Sequence, residues 1–522
     1  VIDTALDGDA FDSALVQVIN GLTNAGANRI VISLDGADYR GAERRLKQAI
    51  LRKFPRHLLG VVPVLCASDL VDDSEPERRA WSALINAFLH PAMETFLYNA
   101  EGILREYKHQ NPLLIFRNDG DSSRVARTIA VKTYSSGPQG GMEGGRALAA
   151  HYGFKRLLTM DIGGTTTDIG LVENGVPHIK RRGEVEGIEI AFPLSEIVSV
   201  GVGGSSILKV RDGVLHVGPE STGGAPGPAC FGLGGKEATI TDVFLLTGLI
   251  DPATYFGGAM TLDRDRARAA IEANIAGPLG LGFEAALEVA EKAWIAKVAD
   301  SLKQFTRIDA DTTLAAFGGA GPFVVSAIAE AAGIQKVIIP GLAAVFSAFG
   351  IGFSDIAQGY RLMAAVDGVP ATVDELRTRA GRDMFAEGFD IAECRQEWSV
   401  SHASGNDDSR HAWQPGTPLP AELAGAGDLA VELRVVKDIN HAKLVNGAAP
   451  TPIAAVVAGS RALTMPGDGS VTLPVHRLEA QGPGAFAAGP CILEEAFFTA
   501  RIGRGWRFAV NSNRDTLLSR DA

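Results

Sequence analysis

The sequence predicts an α/β protein that ends in a smaller β-rich region, and three observations carry that prediction. Helically spaced apolar residues alternate with short apolar runs of strand type over the first two thirds of the chain. Glycine-rich turns stand repeatedly at the ends of those runs. From about Gly359 the pattern changes to short strands separated by glycine and proline.

Size and composition set the frame. A chain of 522 residues with 46% hydrophobic residues supports a large core, and corresponds on size alone to about three or four domains. The formal charge of −12 and the lack of clustered Lys and Arg exclude a nucleic-acid-binding surface. Cys66, Cys230, Cys394 and Cys491 are far apart and form no C-x-x-C pair, so reduced thiols and a cytoplasmic setting are expected. No uncharged apolar run reaches the roughly 18 residues of a membrane span. The chain opens on Val1, which is read as a processed or truncated start.

In chain order, Leu15, Val18, Ile19 and Leu22 predict a helix over 11–27, followed by a strand at 28–34, a helix at 42–52 and a strand at 59–65. Residues 75–107 read as long helix with Trp81, Leu84, Ile85, Phe88 and Leu89 on one apolar face. On it, Asn86 and His90 are read as the polar edge of a packed helix rather than a site. The run Asn111–Asp121 is a strand entering a turn. Thr133–Gly153 then carries Gly140-Gly141 and Gly144-Gly145 into a helix, a pattern that suits either an anion at the helix start or close helix packing.

The segment Arg156–Glu173, RLLTMDIGGTTTDIGLVE, is the centre of the reading. It predicts a strand, a turn at Gly163 and Gly164, the hydroxyls of Thr165, Thr166 and Thr167, and a second strand. Asp161 and Asp168 bracket the turn. Bare glycine backbone with threonine hydroxyls makes a cradle for phosphate oxygens, and the two acids suit Mg²⁺, directly or through water. A plain β-hairpin with a polar tip is the competing reading; it leaves the threonines and acids unexplained.

A second glycine turn follows at Ser199–Val210, with Gly203 and Gly204, and then a long Gly/Pro segment, His216–Asp242, read as an ordered loop without strand periodicity. Helices are expected at 267–275 and 283–305. Thr313–Gly341 reads as strand, GGAGP turn, helix and strand, placing Gly318, Gly319 and Gly321 where a nucleoside can approach backbone, although such a turn is as often structural. The last region predicts a helix at 369–395, strands at 397–403 and 429–437 around a polar loop at 405–414, and strands at 489–498 and 506–510.

Taken together, DIGGTTTD (Asp161–Asp168), GVGGSSI (Gly201–Ile207), GPESTGGAPGPACFGLGG (Gly218–Gly235) with Ile240–Asp242, AFGGAGP (Ala316–Pro322), VFSAFG (Val345–Gly350) and GPCILEE (Gly489–Glu495) resemble the A-type, ATP-binding subunits of the hydantoinase/oxoprolinase family. That family includes the nucleotide-binding subunits of acetone and acetophenone carboxylases. The resemblance implies an actin/Hsp70/sugar-kinase-like fold of ribonuclease-H-like lobes, ATP and Mg²⁺ as cofactors, a small carbonyl substrate, and a B-type subunit as partner in a hetero-oligomer.

On this basis Asp161 and Asp168 are assigned to Mg²⁺ and to catalysis. Gly163, Gly164, Thr165, Thr166, Thr167, Gly203 and Gly204 are assigned to the phosphates, and Gly318, Gly319 and Gly321 to the nucleoside. Asp242 and Glu220 are weaker candidates, read first as surface or loop-capping groups. The stretch Leu113–Pro138 leans towards ketone carboxylases. Cyclic amide hydrolysis and a nucleotide-gated assembly protein without small-molecule substrate are the alternatives. No glycine loop of the GGTxTD kind precedes Asp161, so much of a first lobe is expected to be missing and nucleotide binding to be incomplete. The expected domains are 1–75, the remainder of that lobe; 76–358, the ATP-binding core; and 359–522, a β-rich domain.

Overall fold

The computed structural model describes residues 8–36, 38–55, 57, 61–125, 128–403, 410–423, 425, 427–441, 443–445 and 450–520. They form two compact units that interleave along the chain, one of residues 1–136, 179–195 and 354–440, the other of 137–178, 196–353 and 441–522. The sequence reading expects three consecutive domains divided at 75 and 358. Strand pairing does not follow that order, because a sheet joins strands by register and not by position in the chain.

In the first unit, residues 356–365, 428–437 and 395–402 make long antiparallel strands, extended by short strands at 411–412, 122–124 and 114–116. The helix Val369–Glu387 covers the apolar face with Leu376, Ala380 and Met384 against Trp398, Val431 and Leu433. A separate pair of parallel strands, Ile30–Ile32 and Val64–Cys66, packs with helices Gly8–Asn24 and Tyr39–Lys53. Residues 59–60 of the expected strand and 405–409 of the expected loop lie outside the described residues.

The helix Pro76–Glu106 departs from its sequence reading. Its buried residues are Arg79, Ser82, Ala83, Asn86 and Leu97, whereas Trp81, Leu84 and Phe88 of the expected apolar face are exposed, Phe88 by 83%. Asn86 does form the packed polar edge, accepting from the Val131 N–H at 3.1 Å.

The second unit is built on one large mixed sheet. Its main strands are β1 (Arg156–Ile162), β2 (Thr167–Glu173), β3 (Ile197–Val200), β4 (Thr312–Phe317), β5 (Lys336–Ile339), β6 (Ala485–Ala488), β7 (Trp506–Val510) and β8 (Thr516–Arg520), with two-residue strands at Val176–Pro177 and Ile453–Ala454 added at its edges. The order across the sheet is β3-β2-β1-β4-β5-β8-β7-β6. β4 lies parallel to β1 and β5, and the other neighbours among these eight are antiparallel. The last three strands, expected in a separate domain, therefore extend the central sheet. A second sheet of four strands, residues 459–465, 469–477, 491–495 and 498–502, stands beside it.

The helices of this unit that frame the site are α1 (Ser136–Tyr152), α2 (Ile240–Leu246), α3 (Phe283–Phe305), α4 (Val325–Ala332) and α5 (Phe346–Ile351), and a further helix at Arg264–Ile271 stands where one was expected over 267–275. The core joins β1 and β4 residues such as Leu158, Met160, Leu314 and Ala316 to Trp294 and Leu302 of α3 and Ile328 of α4. β4 is buried along its whole length, as expected of a strand covered on both faces. Part of the Gly/Pro segment read as loop is instead a strand: Val214–Ser221 pairs with Ser206–Arg211, with Val217 opposite Leu208.

The paired glycines of α1 serve packing. A Cβ on Gly144 would lie 2.7 Å from the Phe346 ring, one on Gly141 would lie 3.0 Å from the Phe317 ring, and one on Gly140 would meet the Ser347 carbonyl. Of the two sequence readings for these pairs, the close helix seam is the one the structure shows.

Candidate active site

Antiparallel register places Asp161 of β1 directly opposite Asp168 of β2, with Ile162 opposite Thr167. The turn between them closes through the Gly163 N–H, which donates to the Thr166 carbonyl at 3.0 Å. Directly opposed residues share a face of the sheet, so the two carboxylates stand side by side. Burial pushes both above the usual aspartate range. For Asp161 the charge of Asp168 adds to that rise while the Ser347 hydroxyl opposes it, and for Asp168 the Ser199 hydroxyl opposes it. Two acids crowded in this way favour a cation between them.

Two further loops close on the same turn. The Gly204 N–H donates to the Gly163 carbonyl at 3.0 Å and the Ser205 N–H to the Gly164 carbonyl at 2.5 Å. A Cβ on Gly203 would lie 2.7 Å from the Gly164 oxygen. From the third loop, the Ala320 N–H donates to the Ile162 carbonyl at 2.9 Å. Gly318, at φ 81°, lies against Asp161 where a side chain would collide with the carboxylate. A Cβ on Gly321 would strike the Phe317 carbonyl, whereas one on Gly319 has open space within 4 Å.

The structure thus gathers Asp161, Asp168, Gly163, Gly164, Gly203, Gly204, Gly318, Gly319 and Gly321 around one turn, with Thr165 exposed and Thr166 half-buried near its tip. Thr167 does not join them. It is buried, and its hydroxyl donates to the Val202 carbonyl at 2.6 Å. Strand alternation is the reason: Thr167 shares the face of Ile162, opposite to that of the two acids. At Gly203 and Gly204 the missing side chain serves contacts between loops, and at Gly321 it lets the GGAGP loop fold back on the end of β4 at Phe317.

Sequence reasoning missed the supports. Ser347 of α5 donates to Asp161 Oδ2 at 2.8 Å, Thr241 donates to the Gly204 carbonyl at 2.8 Å, and the Trp294 indole N–H reaches the Gly203 carbonyl at 3.3 Å. VFSAFG was the only available pointer to Ser347, and it carried no assigned role. Asp242 is a loop-capping group: it completes a capping box with Thr239 at the start of α2 and also accepts from the Cys230 N–H at 2.7 Å. Glu220 is an exposed partner of Arg211 at 3.0 Å.

Asp161 and Asp168 fit a divalent cation, since each is partly withdrawn from water beside a like charge. Among the described residues no group of three or more His, Cys, Asp or Glu could hold a metal ion. A cation at this pair would therefore draw its remaining oxygen ligands from water or phosphate, as Mg²⁺ commonly does. No helix among the described residues is long and apolar enough to cross a membrane.

Residues 79–360 match the sequence profile of the hydantoinase/oxoprolinase family. The chain belongs to that family. Among its hydantoinase/oxoprolinase relatives, the acetophenone carboxylase gamma subunit of Aromatoleum aromaticum is 31% identical over 71% of this chain and 53% of its own length. The caprolactamase subunit alpha of Pseudomonas jessenii is 28% identical over 83% of this chain and 68% of its own. The chain thus spans about half to two thirds of these relatives. A solved nucleotide-free acetone carboxylase structure superposes with a TM-score of 0.81 at 22% identity, covering 98% of this chain and 78% of that one. That likeness shows the fold, a mixed α/β architecture.

Proposed function

We propose that this chain is the nucleotide-binding subunit of an ATP-dependent hydantoinase/oxoprolinase-family enzyme, with Mg·ATP held at the turn between β1 and β2. The observation that carries this reading is the Asp161–Asp168 pair at a turn onto which the Gly203–Ser205 and Gly318–Ala320 loops both close. The strand order β3-β2-β1-β4-β5 supports the actin/Hsp70/sugar-kinase-like assignment.

Phosphoryl transfer chiefly needs positioning and neutralised charge. Thr165 and Thr166 at the tip of the turn donate to phosphate oxygens. The open side of Gly319 admits the nucleoside. Asp161 and Asp168 would hold the cation, which would supply neutralisation of phosphate charge. In the reaction, a carbonyl or enol oxygen of the substrate forms a bond to the γ-phosphorus of ATP while the bond from that phosphorus to its bridging oxygen breaks and ADP leaves. The product of that transfer is an enol phosphate; its P–O bond to the enol oxygen then breaks with loss of phosphate to water, and the enol carbon forms the new C–C bond to CO2 derived from bicarbonate.

Similarity to the acetophenone carboxylase subunit favours a ketone as substrate. Coverage of 83% of the chain by the caprolactamase relative supports a second reading, ATP-dependent hydrolysis of a cyclic amide. Both relatives are named as subunits, which supports a hetero-oligomer; a B-type subunit as the partner and a cytoplasmic setting belong to the same proposal.

The test is ATP turnover, with the B-type subunit present, in three mixtures: ketone with bicarbonate, a panel of cyclic amides, and neither. Stimulation by ketone with bicarbonate is expected. Stimulation by cyclic amides alone would move the assignment to the hydrolase. Turnover indifferent to every small molecule would overturn both and favour a nucleotide-gated assembly protein.

A further inference from the structure

The VFSAFG run has no part in the chemistry described above, yet it delivers a side chain to the centre of the site. Ser347 donates its hydroxyl to Asp161 Oδ2 at 2.8 Å across 186 positions of sequence. The other oxygen, Oδ1, lies over the bare backbone of Gly318, where a Cβ would collide with it. The two oxygens of Asp161 are therefore inequivalent: one is tied to α5, and the other is closed in by the GGAGP loop.

The seat of Ser347 is built for close approach. A Cβ on Gly140 would run into the Ser347 carbonyl, and one on Gly141 would lie 3.1 Å from Ser347 Oγ. On the α5 side, a Cβ on Gly350 would run into the Gly140 carbonyl and lie 2.7 Å from the Gly144 nitrogen. Bare backbone on both helices lets α5 sit deep enough for a side chain as short as serine to reach the strand end.

We propose that Ser347 is a positioning residue for the candidate cation site, its hydroxyl fixing Asp161 in the orientation that meets the cation. A carboxylate that is already ordered does not lose that rotational freedom again when ligand binds, and this is the physical gain from such a bond. The inference rests on the Mg·ATP reading of the turn. A bond that merely ties α5 to β1 would contribute to stability and leave metal-dependent affinity alone.

The experiment is calorimetry of the full chain with ATP, in excess Mg²⁺ and in excess chelator, for wild type, Ser347→Ala, the near-isosteric Ser347→Cys, Ser347→Thr and Asp161→Asn. Wild type is expected to bind more tightly with Mg²⁺. Ser347→Ala and Ser347→Cys lose about 5- to 10-fold of that gain, the scale of the net contribution of one hydrogen bond. Their metal-free affinity is unchanged. Ser347→Thr, which keeps the hydroxyl, retains most of the gain, and Ser347→Ala combined with Asp161→Asn binds no more weakly than Asp161→Asn alone. If Asp161→Asn abolishes the gain while both Ser347→Ala and Ser347→Cys keep it, Ser347 is only a structural tie and the inference fails by itself. If wild type gains nothing from Mg²⁺, the cation reading falls first and the inference falls with it.

Discussion

Gly203 lies so near Gly164 that an added Cβ would stand 2.7 Å from the Gly164 carbonyl oxygen. The contact is between two backbones, so neither a rotamer change nor a flexible side-chain end can relieve it. Gly319 is the opposite case, with nothing within 4 Å of the same added atom.

These two glycines therefore separate fold from function. Gly203→Ala is expected to cost about 1–3 kcal/mol by overpacking, seen as a lower Tm, and to displace the turn. Gly319→Ala should leave Tm almost unchanged while weakening ATP binding by about 10-fold, because the added methyl occupies space assigned to the nucleoside. Calorimetry and a thermal melt on each variant decide it; unchanged ATP affinity in a folded Gly319→Ala would remove that glycine from the nucleoside site.

Asp161→Asn should lower ATP turnover by about 100-fold or more, the scale of losing a principal electrostatic contact, and should also stabilise the protein. The sign follows from burial and from the neighbouring Asp168 charge, both of which raise the Asp161 carboxyl above its ordinary value of 3.8. Between that value and the raised one the folded state holds more proton than the unfolded state, so stability falls as pH rises through this window. Above the window the full cost remains. Asparagine removes it, and Tm near neutral pH should rise by about 1–3 °C, with no difference from wild type below the ordinary aspartate value. Melts across pH measure this, and a Tm below wild type near neutrality would refute the account.

Asp242 is expected to behave as a structural residue. It is fully buried and accepts from the Cys230 N–H, the Thr239 N–H and the Thr239 hydroxyl at 2.7, 2.9 and 2.7 Å. Asp242→Ala strands those donors and should cost about 3 kcal/mol or more. At a temperature where the variant is still folded, ATP affinity should stay within about twofold of wild type. A selective loss of affinity with Tm intact would make Asp242 a ligand group after all.

The four cysteines should divide three to one. Burial pushes Cys66 up to about 11 and Cys491 up to about 12, and raises Cys230 further; it raises Cys394 too, but that thiol is only partly buried and stays accessible. Because the thiolate is the reactive form, iodoacetamide at pH 8 should label Cys394 in the native protein and the other three only after unfolding. Peptide mapping reads this directly, and rapid native labelling of Cys230 would contradict its buried placement.

The sequence by itself determined the local chemistry. Two glycines between two short apolar runs of strand type fit a strand–turn–strand, and Asp161 and Asp168 bracket its turn; their directly opposed register came with the fold. Helix positions such as α3 were legible from apolar spacing, as was the GGAGP turn after β4. Tertiary structure decided which atoms each residue meets. Thr167 was indistinguishable in sequence from Thr165 and Thr166, but strand alternation turned its hydroxyl inward to Val202. The late strands around Phe486, Phe508 and Leu518 read as a separate domain until register placed β8 beside β5. Ser347 lies 186 positions from Asp161, and no periodicity reports a contact made only when two glycine-lined helices pack.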